Sequence, residues 1–74
     1  MTWIEYINER LAQIAKIKDG SERALRAFAL GAATNPQVEM GRLDSRAAPQ
    51  HQVMCRTRED HFYARIKRKQ EGGR

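Results

Sequence analysis

The sequence predicts a mostly α-helical protein: an N-terminal antiparallel helical hairpin, an irregular or short β-hairpin middle, and a basic C-terminal helix. Three observations predict this class. Apolar residues near the N-terminus recur at helical spacing, alanine is abundant over residues 24–33, and caps or breakers separate the segments. With 74 residues, the chain forms one small domain, 1–74.

The first helix is predicted over residues 3–18. Thr2 and Glu5 have the spacing of a capping box at its start. Its apolar stripe covers nearly half the helix circumference and consists of Trp3, Ile4, Tyr6, Ile7, Leu11, Ile14 and Ile17. A core position explains most of these residues, but one short neighbouring helix cannot cover so broad a face. We therefore expect Trp3 to anchor a partner, because large aromatic side chains concentrate binding energy.

The second helix is predicted over residues 22–33. Asp19-Gly20 is expected to close the first helix and Ser21 to cap the second. Asn35-Pro36 is expected to end it, because the residue before proline disfavours helical angles. Its apolar row is Leu25, Phe28, Ala29 and Ala32. The short connection predicts that the first two helices form an antiparallel hairpin.

The middle segment, residues 37–57, leaves several structures open. QVEMGRL (37–43) and HQVMCRT (51–57) are modestly strand-like, and a polar loop could join them in a β-hairpin. Gly41 and the long polar loop count against this hairpin. A short helix or coil across 37–50 fits equally well, and the last helix could begin early at Met54 and Cys55.

The last helix is predicted over residues 58–70, with Thr57 as its cap, and residues 71–74 are expected to fray. Phe62 and Ile66 lie one turn apart and, with Cys55, define its core face. Beside that face runs a row of basic side chains at helical spacing, which we call the basic stripe: Arg58, His61, Arg65, Arg68 and Lys69.

The charge of the chain is concentrated in its second half. The net charge is +5, and residues 1–40 contribute none of it, because their five basic side chains balance five acidic ones. Cations in the last turn complement the helix dipole, which accounts for Arg68 and Lys69. That effect does not account for Arg58 at the start of the helix. The stripe therefore predicts a negatively charged partner.

The sequence shows no catalytic constellation. Cys55 is the single cysteine, which excludes an intramolecular disulfide, and with two histidines it gives poor metal-ligand spacing. His51 and Cys55, four residues apart, are the one pair that could suggest a thiol nucleophile, but no third group orients them. We therefore expect no enzyme activity, no cofactor and no metal.

The N-terminal segment lacks the features of a signal peptide, because Glu5, Glu9 and Arg10 interrupt its apolar run. No stretch approaches the roughly 20 apolar residues of a membrane span. We expect a soluble cytoplasmic protein that does not bind membranes.

The predicted function is that of a small non-enzymatic binding protein, which docks on a larger protein or complex with an acidic surface or assembles with copies of itself. Its class is expected to be that of phage or mobile-element accessory proteins, such as inhibitors or assembly subunits. The predicted partner-binding residues are Trp3, Tyr6, Ile7, Arg10, Arg58, His61, Arg65, Arg68 and Lys69.

The alternative function is sequence-nonspecific binding of nucleic-acid phosphates. The residues predicted for this role are Arg58, Arg65, Lys67, Arg68 and Lys69, together with Arg42, Arg46 and Arg56.

Overall fold

The computed structural model describes residues 1–72 and contains three helices, α1 (Trp3–Ile14), α2 (Gly20–Glu39) and α3 (Pro49–Gly72). Within these residues there is no strand, and the one β-type contact is an isolated antiparallel bridge between Thr2 and Arg46. The mostly helical class is therefore confirmed, whereas the β-hairpin across 37–57 is wrong. Residues 71 and 72 belong to α3, and the rest of the predicted frayed tail, 73 and 74, lies outside the described residues.

The predicted capping box starts α1. The Glu5 N–H donates to the Thr2 hydroxyl at 3.3 Å, and the Thr2 N–H donates to the Glu5 carboxylate at 2.7 Å. The helix ends at Ile14, not at residue 18. Asp19 does not close α1 but caps α2, because its carboxylate accepts hydrogen bonds from two of the first free N–H groups of that helix.

The end of α2 lies beyond the proline that was predicted to stop it. Pro36 sits inside the helix, which continues to Glu39. The stop is Gly41, whose φ of 66° is easily reached only by glycine. The Gly41 N–H donates to the Val38 carbonyl at 3.1 Å, and the Arg42 N–H donates to the Gln37 carbonyl at 2.8 Å. These two bonds form a Schellman motif, which satisfies carbonyls that the helix end leaves free.

Helix α3 begins earlier than predicted, at Pro49. Proline suits the first helical position, since its missing N–H would have no partner there. Thr57, the predicted cap, lies inside the helix, and its hydroxyl donates to the Val53 carbonyl at 2.9 Å. The segment 51–57 that resembled a strand is therefore the first part of α3.

Helices α2 and α3 pack antiparallel. Glu22 contacts Lys67 and Arg26 contacts Asp60, so residue numbers rise along α2 as they fall along α3. Further along, the Cys55 thiol meets the Ala33 carbonyl. This pairing brings the end of α2 and the start of α3 together at the 40–48 loop.

The first turn of α1 is tied to that loop. The Trp3 N–H donates to the Ser45 carbonyl and the Ile4 N–H to the Leu43 carbonyl, both at 2.9 Å. In return, the Ala47 N–H donates to the Met1 carbonyl at 2.8 Å. The start of α1 therefore lies at the end of α2, which gives the antiparallel arrangement expected for these two helices.

The core lies between the three helices and includes fewer of the apolar side chains than the sequence predicted. Its buried residues are Trp3, Tyr6, Ile14, Leu30, Ala33, Ala47 and Cys55, with Ile7, Ile17 and Phe62 packed against them. The buried face of α1 also includes Arg10, whereas Ile4 and Leu11 of the predicted stripe are exposed. Helix α1 therefore faces the core with most of its predicted stripe, but the buried face also takes in Arg10 and leaves out Ile4 and Leu11.

Candidate functional site

An ion-pair network fixes the three helices to one another. Glu59 of α3 is fully buried, with 0% of its surface exposed, and accepts hydrogen bonds from Arg10 at 2.9 and 2.6 Å. Arg26 of α2 donates to the same carboxylate at 3.0 Å and to Asp60 at 2.7 Å. The hydrogen bonds that Arg10 donates to Glu59 raise the pKa of Arg10 above its ordinary value. Arg10 therefore has a structural partner within the chain.

The partner-binding residues predicted on α1 are mostly interior. Trp3 and Tyr6 are 5% and 6% exposed, and their rings meet edge to face with centroids 5.6 Å apart. Arg10 is 7% exposed and Ile7 is half-buried. Trp3, Tyr6 and Arg10 therefore present little surface in this fold, and their role in binding a partner stays a prediction.

The basic stripe, in contrast, is fully accessible. All five of its residues are exposed, and within residues 1–72 none of them forms an ion pair. It extends about 16 Å along α3, from Arg58 to Lys69. Two cations of the nucleic-acid set behave differently, since Arg56 pairs with Asp60 at 3.5 Å and Lys67 with Glu22 at 2.9 Å. The structure therefore separates a paired flank of α3 from an unpaired one.

An apolar groove adjoins the stripe. Phe28 was expected in the apolar row of α2, but 69% of its surface is exposed, because the buried row is Ala29, Leu30, Ala33 and Thr34. The groove has a volume of about 290 Å³. It is lined by Phe28, Ala32, Phe62, Arg65, Ile66 and Lys69, and we call it the Phe28 groove. Two stripe cations thus border the most exposed aromatic ring in the described chain.

A second cavity, of about 350 Å³, opens where the 40–48 loop meets α2 and α3. Three arginines are among its lining residues, Arg42, Arg46 and Arg58, and we call it the arginine pocket. Its other lining residues are Trp3, Ala33, Gln37, Ser45, His51, Met54 and Cys55. No pattern in the sequence predicts this pocket, because its lining residues come from four separate segments.

Cys55 and His51 both line the arginine pocket, and no hydrogen bond joins them within the described residues. Cys55 is buried, and its thiol donates to the Ala33 carbonyl at 3.7 Å. Burial raises the pKa of this thiol, and the thiolate is the reactive form. Within residues 1–72, no group of three or more His, Cys, Asp or Glu side chains is placed to hold a metal ion. The absence of enzyme activity and cofactors stays a prediction.

The fold and these surfaces define a small three-helix protein with one unpaired basic flank, an adjoining apolar groove and an arginine-lined cavity. No protein-family profile, curated protein or solved structure matches the chain. In the part of the chain that the structure describes, no helix combines the length and apolar character that crossing a bilayer requires.

Proposed function

We propose that this protein is a small non-enzymatic binding protein, which docks on an acidic surface of a larger protein or complex through the Phe28 groove and the basic stripe. One observation carries the proposal: Phe28 is 69% exposed and shares its groove with Arg65 and Lys69, which have no ion-pair partner among residues 1–72. The apolar and charged parts of a docking surface are therefore adjacent.

Apolar and charged side chains make different contributions to a protein interface. Aromatic side chains at the centre of a contact supply most of the binding energy once water is excluded. Charges around them add less affinity but speed association and reject partners of the wrong sign. Phe28 and Phe62 suit the first role, and Arg65 and Lys69 suit the second.

The proposal moves the apolar contact from α1 to α2. On α1, the accessible apolar side chains are Ile4 and Leu11, which are 38% and 43% exposed, beside half-buried Ile7. They offer a secondary contact, whereas the predicted anchor Trp3 is interior. A role as a phage or mobile-element accessory protein remains part of the proposal and is supported by chain size and composition alone.

The test compares matched variants in a pull-down from nuclease-treated lysate of the native host. Phe28→Ala removes the apolar contact, and a joint change of Arg65 and Arg68 to Glu reverses the stripe. Lys16 and Lys18, also changed to Glu, provide a control with the same charge change elsewhere. We expect a partner that binds the wild type and the control but not the two site variants, and its purified form should show slower association with the stripe variant. A partner retained equally by all variants would refute the proposed surface.

Nucleic-acid binding is the second candidate, favoured by one observation. Arg42 and Arg46 extend the unpaired cations from α3 onto the neighbouring loop. Phosphate contacts weaken steeply as salt rises, because counterions are released on binding. A gel shift with random DNA and RNA at low and moderate salt tests this candidate, and the absence of a shift at low salt would remove it.

A further inference from the structure

We propose that the arginine pocket binds a small phosphate monoester. The cavity is lined by three arginines together with apolar and polar side chains, and it shares no lining residue with the Phe28 groove. Arg58 is shared with the basic stripe, but the inference does not rest on the docking proposal, because Arg42 and Arg46 belong neither to the stripe nor to the Phe28 groove.

The positive charge of the pocket favours the binding of an anion. Arg42, Arg46 and Arg58 line one cavity, none of its lining residues is Asp or Glu, and none of the three forms an ion pair within residues 1–72. Gathering like charges around a partly enclosed space raises the local potential and attracts counter-ions. Guanidinium groups bind phosphate oxygens in pairs of parallel hydrogen bonds, and a phosphate monoester carries roughly −1.5 to −2 charges at pH 7.

The pocket is also held in place by the backbone. Arg42 belongs to the Schellman motif through its N–H bond to the Gln37 carbonyl at 2.8 Å. Arg46 pairs with Thr2 in the isolated bridge, and between them the Ser45 N–H donates to the Arg42 carbonyl at 2.9 Å. A loop fixed in this way loses little entropy when a ligand binds, and such preorganisation favours affinity.

The inner wall and the size of the cavity indicate what the phosphate carries. Met54 offers exposed apolar surface in this cavity, and the almost fully buried Trp3 and Ala33 also line it. The volume of about 350 Å³ falls at the lower end of the roughly 300–1,000 Å³ of small-molecule sites. The pocket therefore fits a compact organic phosphate better than bare phosphate.

The test uses phenyl phosphate as the probe. Phenol is the control that lacks the phosphate, and inorganic phosphate is the control that lacks the phenyl group. Trp3 is the single tryptophan of the chain, so its fluorescence reports directly on the pocket wall. Amide shifts in ¹⁵N-labelled protein locate the binding independently. We expect saturable binding of phenyl phosphate with shifts at Arg42, Arg46 and Arg58, weaker binding of inorganic phosphate and none of phenol.

Variants separate the pocket from general attraction to a basic protein. Arg42→Gln and Arg46→Gln should each weaken phenyl phosphate binding roughly tenfold, since each loses charge-assisted hydrogen bonds. Lys18→Gln removes one charge at the α1–α2 turn and should change binding less than about twofold. The circular dichroism of all three should match the wild type. Equal losses in all variants, no saturation by about 10 mM probe, or binding of oligonucleotides through these arginines without phenyl phosphate binding would each overturn the proposal.

Discussion

Replacing Glu59 with glutamine tests the physical basis of the fold. The carboxylate is fully buried and accepts three hydrogen bonds, two from Arg10 and one from Arg26. Glutamine has nearly the same shape but carries no charge, and its NH₂ group would face guanidinium donors. Glu59→Gln therefore leaves the buried Arg10 guanidinium without its counter-charge.

The expected loss is large for a chain of this size. Breaking a buried ion pair by removing one partner costs about 3–5 kcal/mol. A 74-residue protein has a free energy of unfolding of about 4–11 kcal/mol at ordinary stability per residue. Glu59→Gln should therefore remove about a quarter or more of that free energy and lower the urea midpoint by about 1 M or more.

The assay is urea denaturation followed by circular dichroism, with Asp60→Asn as the matched control. Asp60 is the next residue on α3 and also binds Arg26, at 2.7 Å, but its side chain is 53% exposed. Exposed pairs contribute roughly 0–1 kcal/mol, so the control should lose less than about 1 kcal/mol. If the two variants lost equal stability, or if Glu59→Gln lost under about 1 kcal/mol, the buried network would not hold the helices as described.

Further predictions concern backbone geometry and pH. Gly41→Ala should lower the free energy of unfolding by about 1 kcal/mol, because φ is 66° there. Gly31→Ala should raise it by about 0.5–1 kcal/mol, because an added Cβ in mid-helix meets nothing within 4 Å; urea denaturation yielding the same sign for both would contradict this. Tyr6→Phe should be neutral or stabilising by about 1 kcal/mol, since it removes a buried hydroxyl without a hydrogen-bond partner. Burial raises the pKa of Tyr6 from 10.0 to about 12, so wild-type stability should fall as pH rises above 10.0, and a Tyr6→Phe variant with an equal alkaline loss would refute this. The Tyr63 hydroxyl, and then Lys67, lower the pKa of Glu22 below 4.5. The stability that ionised Glu22 contributes is thus present above pH 4.5 and is lost as pH falls through its lowered pKa. Glu22→Gln should therefore make the urea midpoint depend less on pH in the acid range.

Sequence patterns predict local structure correctly where the residues that interact are close together in the chain. Thr2 and Glu5 are three residues apart, so their capping box could be predicted and is present. Gly41 and Pro49 carried the signals for a helix end and a helix start. The strand-like composition of 37–43 and 51–57 competes with those signals, and Pro36 predicts a helix end although α2 continues through it.

The orientation of α1 depends on a contact that periodicity cannot reveal. Arg10 and Glu59 are 49 residues apart, and arginine is rarely buried without a partner. A search for apolar spacing therefore assigns Arg10 to the surface and Ile4 and Leu11 to the core, the reverse of what the structure shows. The arginine pocket escaped prediction for the same reason, since tertiary structure alone brings its segments together.

The hydrogen bonds between the first turn of α1 and the 40–48 loop imply an order of assembly. Two N–H groups of that turn find their acceptors on the loop, so these two bonds form only once the loop has its folded shape. We expect α1 to dock last during folding and to detach first during local unfolding. Detachment removes Trp3 from the pocket wall and frees the Arg46 backbone, so any ligand held by the arginine pocket would also lock the N-terminal helix in place.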